Sequence, residues 1–279
     1  MSLLAMALGQ SAGSNPSSVP LAASSGEGFE SPGVTDFWQP LIGEGAWAIT
    51  RASFLMVLSV VLLAWVMTAV ARKLTVVPGK AQFAAEAGYN LVRNGLGREV
   101  IGSPDFLRFL PLLVTLFFLI IVNNVFAIVP VIQFPTMSRV GFPAALALVV
   151  FVVFHYVAIK KKGFVPYLKS LVPPGLPGWL VPFIFLLELV TYFFTRPVTL
   201  ALRLFGNMFA GHLLLLLFTL GGEYMLLHSD APVLQVLSVG SFAGSFVMTA
   251  FELLVEVLQA YIFTLLTALY IAGSLADEH

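Results

Sequence analysis

The 279-residue chain contains no cysteine, which excludes disulfides, thiolate nucleophiles and cysteine-bound metals. Charge is scarce too: only 10% of residues are Asp, Glu, Lys or Arg, against about 25% in an average soluble domain. The first fifty residues hold no lysine or arginine. The short apolar patch "LLAMAL" near the start therefore lacks the basic region that leads a secretory signal. Zincin and EF-hand spacings, a phosphate-cradling glycine loop and a nucleophile elbow are all missing from the sequence. No metal or cofactor is implied. Basic residues are not interleaved with aromatics along one face, so a nucleic-acid partner has no support.

What the chain has in quantity is apolar length. It is 59% hydrophobic, with a mean hydropathy of +0.96, which places it in the membrane class. Residues 1–45 are rich in Ser, Gly, Ala and Pro and read as a polar, largely disordered extracytoplasmic tail. Residues 46–279 read as a membrane domain, with helices expected over about 46–72, 105–132, 141–160, 177–226 and 232–273. A weakly amphipathic, glycine-containing stretch over 79–101 fits a helix lying on the membrane surface. The fold class is thus an all-α integral membrane protein, five membrane-embedded helices plus a surface helix. The last two hydrophobic stretches exceed 40 residues each. At about 1.5 Å per residue they are too long for one perpendicular crossing, so strong tilt is expected.

The basic residues predict orientation. Arg72, Lys73, Lys80, Arg93, Arg98 and Arg108 lie between the first two spans, and Lys160, Lys161, Lys162 and Lys169 follow the third. The opposite loops carry only Arg51 and Arg139. By the positive-inside rule the N-terminus is outside, the two basic segments are cytoplasmic, and the C-terminus is inside.

The remaining two arginines, Arg196 and Arg203, fall within the fourth span. A charge at the bilayer centre costs about 2.5–3.5 kcal/mol on insertion scales, so it needs a reason. Arg196 sits near the interface, where its side chain can snorkel. Arg203 shares its span with Glu188, Asn207 and His212. Asn207 lies one turn on from Arg203 on the same face, while His212 points roughly to the opposite side. In the last span Ser238, Ser241, Ser245, Thr249, Glu252, Glu256 and Gln259 recur every three or four residues and form one continuous polar stripe. Such a stripe must face protein or water. It suits either a proton relay, through its carboxyls and hydroxyls, or interhelical glue. Arg203 in turn suits either a functional cation or a buried salt bridge with Glu252 or Glu256. Gly240 and Gly244 form a small-xxx-small pair beside the stripe. His155 and the pair Asn123–Asn124 read as helix–helix polar groups.

"RPVTLALRLFGNMFAGH" followed by "ELLVEVLQAYIFTLLTALY" resembles the signature of subunit a of F-type ATP synthases, over essentially Phe109 to the C-terminus. The resemblance implies a proton-channel stator whose essential arginine, here Arg203, faces carboxylates of a rotating ring of c subunits. It implies roles for Asn207 and Gln259, and an acid–histidine pair linking the two long helices, here Glu252 and His212. That is the reverse of the common bacterial arrangement and as in mitochondrial members. Glu256 is an additional acid in the stripe, and Ser241, Ser245 and Thr249 support it. Glu188 resembles the acid of the inner half-channel, set one residue further from the arginine than in the family. The implied partners are the c-ring, b-type peripheral-stalk subunits, the rest of the ATP synthase and the lipid bilayer. The elements "NN", "QFP" and "SRVGFP" point to a bacterial chain, in the plasma membrane. The other class of reading is a secondary ion-coupled transporter with discontinuous helices, which predicts an internal repeat.

Overall fold

The computed structural model describes residues 40–42, 49–72, 75, 79–129, 132, 134–172, 175–228 and 231–276. Most of the tail expected over 1–45 lies outside these residues. The described chain is helical apart from one short antiparallel pairing of β1 (Pro40–Ile42) with β2 (Ile49–Thr50). Five helices are long and apolar enough to cross a membrane, and the last two are the longest.

The first spanning helix, α1 (Arg51–Arg72), starts five residues later than the sequence suggests, and the cause is local. The hydroxyl of Thr50 accepts a hydrogen bond from the backbone N–H of Ser53 (3.3 Å), a helix N-cap, which commits Ile49 and Thr50 to the extended form. Arg139 holds the same hydroxyl from the loop after the second span (2.7 Å). The surface segment begins as α2 (Lys80–Asn90) and continues without a break as a π-helical stretch, Leu91–Ile101. Val92 and Leu96 bury that stretch against the core.

The second span, α3 (Phe106–Ile128), is the most enclosed of the five. Its buried positions Phe109, Leu113, Leu116, Ile120, Asn123 and Ala127 repeat at three- and four-residue spacing, the pattern of a helix face turned to a core. It stops four residues before the expected end because Val129, which precedes a proline, is extended. The third span, α4 (Gly141–Lys162), ends in three lysines and leads into the short α5 (Phe164–Lys169).

Beyond the proline-rich turn, α6 (Val181–Val190), a π-helical turn (Thr191–Thr195) and α7 (Arg196–Leu227) form one 47-residue helix. The last helix, α8 (Pro232–Leu275), has 44 residues. At about 1.5 Å per residue each exceeds 60 Å, twice the hydrocarbon thickness of about 30 Å. The two pack antiparallel along most of their length: contacts step down one helix as they step up the other. Gly222 meets Ser241, Gly244 meets Phe218, Gly211 meets Glu252, and Asn207 meets Gln259. The close approach thus uses Gly222 of α7 and Gly244 of α8. The expected partner Gly240 has no atom within 4 Å of where a Cβ would sit.

Candidate functional site between the last two long helices

Helix α7 is divided lengthwise. Leu200, Leu204, Met208 and His212, spaced by four, are buried. Arg203 and Asn207 lie on the other side and are exposed on the surface of this chain. Helix α8 is divided crosswise. Its buried face over the C-terminal half runs through Glu252, Glu256, Gln259, Phe263, Thr267 and Ile271, while in the N-terminal half Ser238 is buried but Ser241, Ser245 and Thr249 are only half-buried. The expected polar stripe therefore faces protein at its carboxyl end. Of its hydroxyls, Ser241 bonds across to the carbonyl of Phe218 (2.7 Å). Ser245 and Thr249 donate back to carbonyls of their own helix, the usual resting state of such side chains.

Where the two helices and α3 meet there is a cavity of about 200 Å³. Its polar lining is Asn124, Asn207, Glu252, Glu256 and Gln259. Asn207 donates from Nδ2 to Gln259 Oε1 (2.9 Å), closing one end. Asn124 donates to the backbone carbonyl of Glu256 (3.0 Å), fixing α3 to the turn that carries the acid. The carboxylate oxygens of both glutamates, together with Asn124 Oδ1 and Gln259 Nε2, are buried and make no hydrogen bond among the described residues. Burying one such polar group unpaired typically costs about 1–3 kcal/mol, and an ion more, so a cluster of them calls for an exchangeable proton or water. The volume admits several waters, at about 30 Å³ of liquid each. Glu252 lies against Gly211, where an added Cβ would come within 3.1 Å of Oε1. A side chain there would press on the acid by a few tenths of an ångström, and the buried His212 is the chain neighbour of Gly211.

Four of the expected site residues, Asn207, Glu252, Glu256 and Gln259, thus share one cavity. His212 adjoins it on α7 without lining it. Arg203 stands one turn from Asn207, exposed, and makes no ion pair with either glutamate, so the buried-salt-bridge arrangement is not adopted. Glu188 is set apart on α6, half-buried, beyond the π-helical turn. A π turn takes up an extra residue without breaking a helix. Arg196 does not simply snorkel. Its guanidinium lies 3.5 Å from the ring centre of Tyr192 and 5.1 Å from that of Tyr270, a cation–π clasp between α7 and α8.

Asn124 was not singled out as a site residue from the sequence. Its signal was present, a second asparagine directly after Asn123 in an apolar span, but adjacent helical residues point about 100° apart. Asn123 faces α1 and Asn124 faces α8. Among the described residues no group of three or more His, Asp or Glu could hold a metal.

The family model described as "ATP synthase A chain" matches residues 53–272. Over 268 residues the chain is 46% identical to "ATP synthase subunit a" of a Nocardioides species, covering 91% of this chain and 96% of that one. It is 42% identical over 261 residues to the protein of that name from Pseudarthrobacter chlorophenolicus, covering 92% and 97%. With that from Streptomyces lividans it shares 40% over 258 residues, covering 91% and 90%. The match runs through both long helices and the cavity between them, and the chain belongs to the ATP synthase A chain family.

Proposed function

We propose that this chain is the proton-translocating stator subunit of an ATP synthase membrane sector, and that it provides two offset half-channels which load and unload carboxylates of a rotating c-ring. It is a non-catalytic membrane subunit. One observation carries the reading: buried carboxyls without hydrogen-bond partners gather in a cavity, and one turn beyond that cavity an arginine stands exposed and unpaired among the described residues. The cavity side is the loading side. Protons reach Glu252 and Glu256 from outside past His212 and the hydroxyls of Ser241, Ser245 and Thr249. Asn207 and Gln259 hold the last step before the ring. Arg203 presents a fixed positive charge to the ring carboxylate, which must discharge before it passes. Arginine suits this role because it does not deprotonate, whereas a desolvated lysine can. Release runs to the cytoplasm by way of Glu188. Each charge moved through 100 mV delivers about 2.3 kcal/mol, so several are needed per ATP.

The orientation that fits is N-terminus outside and C-terminus in the cytoplasm of a bacterial cell membrane. The exposed face of α7 meets the c-ring, and b-type stalk subunits hold the chain against rotation. A secondary transporter would need corresponding broken helices in two halves. The uninterrupted α8 and the single pair of long helices favour the stator.

The test is Arg203→Ala in reconstituted vesicles, with assembly checked by co-purification of the ring. The complex should assemble and make no ATP, while passive proton flux persists. Near-normal ATP yield from the assembled variant would overturn the reading.

A further inference from the structure

The chain reverses at the lysine-bearing end of α4. Gly163 has φ of 86°, which a side chain would disfavour, and from it α5 turns back against α4. Tyr167 of α5 packs there beside the ring of His155 and in a buried cluster with Ala158 and Leu171. Between α5 and the start of α6 runs a groove of about 450 Å³. One wall is Val165, Leu168, Lys169 and Val172. The other is Gly178, Val181, Pro182 and Phe185. Both sets step by three, one and three residues, so each wall follows one face of its helix and the adjoining turn for about 10 Å. Leu168 and Phe185 also pack against the buried cluster, which seats the groove on close-packed side chains.

The groove offers hydrocarbon along its length and a single cation. Lys169 is the one charged residue of the lining, and it is exposed. Three more lysines, Lys160, Lys161 and Lys162, end the neighbouring α4, and no Asp or Glu occurs between Asp105 and Glu188. Glu188, further along the same side of α6, is half-buried and does not line the groove. The positive charge is therefore not offset within this segment. The surroundings belong at the headgroup level of a bilayer, where Trp and Tyr gather. Trp179, beside Gly178, is 79% exposed, and Lys160 lies over the ring of Tyr156 at 5.7 Å.

We propose that the groove between α5 and α6 binds an anionic phospholipid, with an acyl chain laid between the two apolar walls and the headgroup phosphate at Lys169. A compact ammonium suits a phosphate as a point charge. A zwitterionic lipid carries the same phosphate together with a cation, which the unopposed lysines repel. A transmembrane helix is the poorer occupant. Such helices pack through small residues that let backbones approach, and here only Gly178 is small, among Val, Leu, Pro and Phe. The site is separate from the cavity that holds Glu252 and Glu256, and it fastens α5 to the root of the long helix that carries Arg203.

The test places the assembled complex in phosphatidylcholine vesicles that contain a trace of phosphatidylglycerol with a photoactivatable group in its acyl chain. A parallel sample carries the same group on phosphatidylcholine. After illumination the labelled residues are mapped by mass spectrometry. The phosphatidylglycerol probe should mark both walls about fivefold more than the phosphatidylcholine probe, the factor expected for one lysine at a lipid surface. The reference is the groove between α1 and α3, whose lining has no charged residue; any labelling there should be equal from the two probes. Lys169→Gln should bring the ratio at the α5–α6 groove down to that of the reference, and Lys169→Arg should keep it raised. Leu168→Trp, which fills the groove, should reduce labelling by both probes. Co-purification of the ring checks that each variant assembles. Equal labelling by the two probes in the unaltered complex would overturn the site, and so would a ratio unchanged in Lys169→Gln. Absence of labelling would mean that another subunit covers the groove, and would overturn it as well.

Discussion

Two polar sites lie within the same packed helices and are built on opposite terms. At Asn123 every polar group is satisfied. Nδ2 donates to Ser59 Oγ and to the carbonyl of Leu119, both at 2.8 Å, and Oδ1 accepts from Thr136 (3.0 Å). That cluster ties α1, α3 and the following loop together, and nothing in it is left to react. One residue along, Asn124 opens onto the cavity where Glu252, Glu256 and Gln259 hold unspent hydrogen-bonding capacity. A buried polar group that is fully paired specifies structure, whereas an unpaired cluster at a cavity costs stability and is kept for its chemistry.

The largest expected break in this comparison comes from exchanging the acid and the histidine. Glu252→His alone should stop proton pumping almost completely, and adding His212→Glu should restore part of it. The readout is pumping rate per assembled complex. Equal failure of single and double variants would mean that the two residues do not act as one unit. The next effect should fall on stability and not on turnover. Asn123→Ala removes the acceptor of the Thr136 hydroxyl and the bond that Asn123 donates to Ser59, at a cost of about 1–3 kcal/mol. The yield of assembled complex and its thermal midpoint should drop, while pumping per assembled complex stays normal. The smallest pair concerns glycine. Gly211→Ala pushes a methyl to within 3.1 Å of the Glu252 carboxyl, and should slow pumping modestly in a complex that assembles well. Gly240→Ala, which meets nothing within 4 Å, should change neither quantity.

The five spans and the two long helices were legible because apolar length is a local property of the chain. So was the line of polar residues on α8, since helical periodicity alone puts Glu252, Glu256 and Gln259 on one face. Facts set by a neighbouring element were not. Nothing in "NN" says which asparagine meets α1 and which meets the acids; the rotation of α3 in the bundle decides that. Arg196 read as a snorkelling cation. Tyr192, four residues earlier, was a visible partner, but Tyr270 reaches it only through the antiparallel pairing of α7 and α8. The glycine contact shifted for the same reason, from Gly240 to Gly222 on the other helix. The start of α1 moved because one threonine hydroxyl caps it.

The central claim is that the unpaired carboxyls handle protons while the paired asparagine only holds helices together. The most direct test measures ATP-driven proton pumping and ring co-purification side by side for Glu252→Gln and Asn123→Ala. The account predicts a fully assembled Glu252→Gln complex that pumps severely slowly, and a poorly assembled Asn123→Ala complex that pumps at the normal rate per complex. Normal pumping by Glu252→Gln would contradict it.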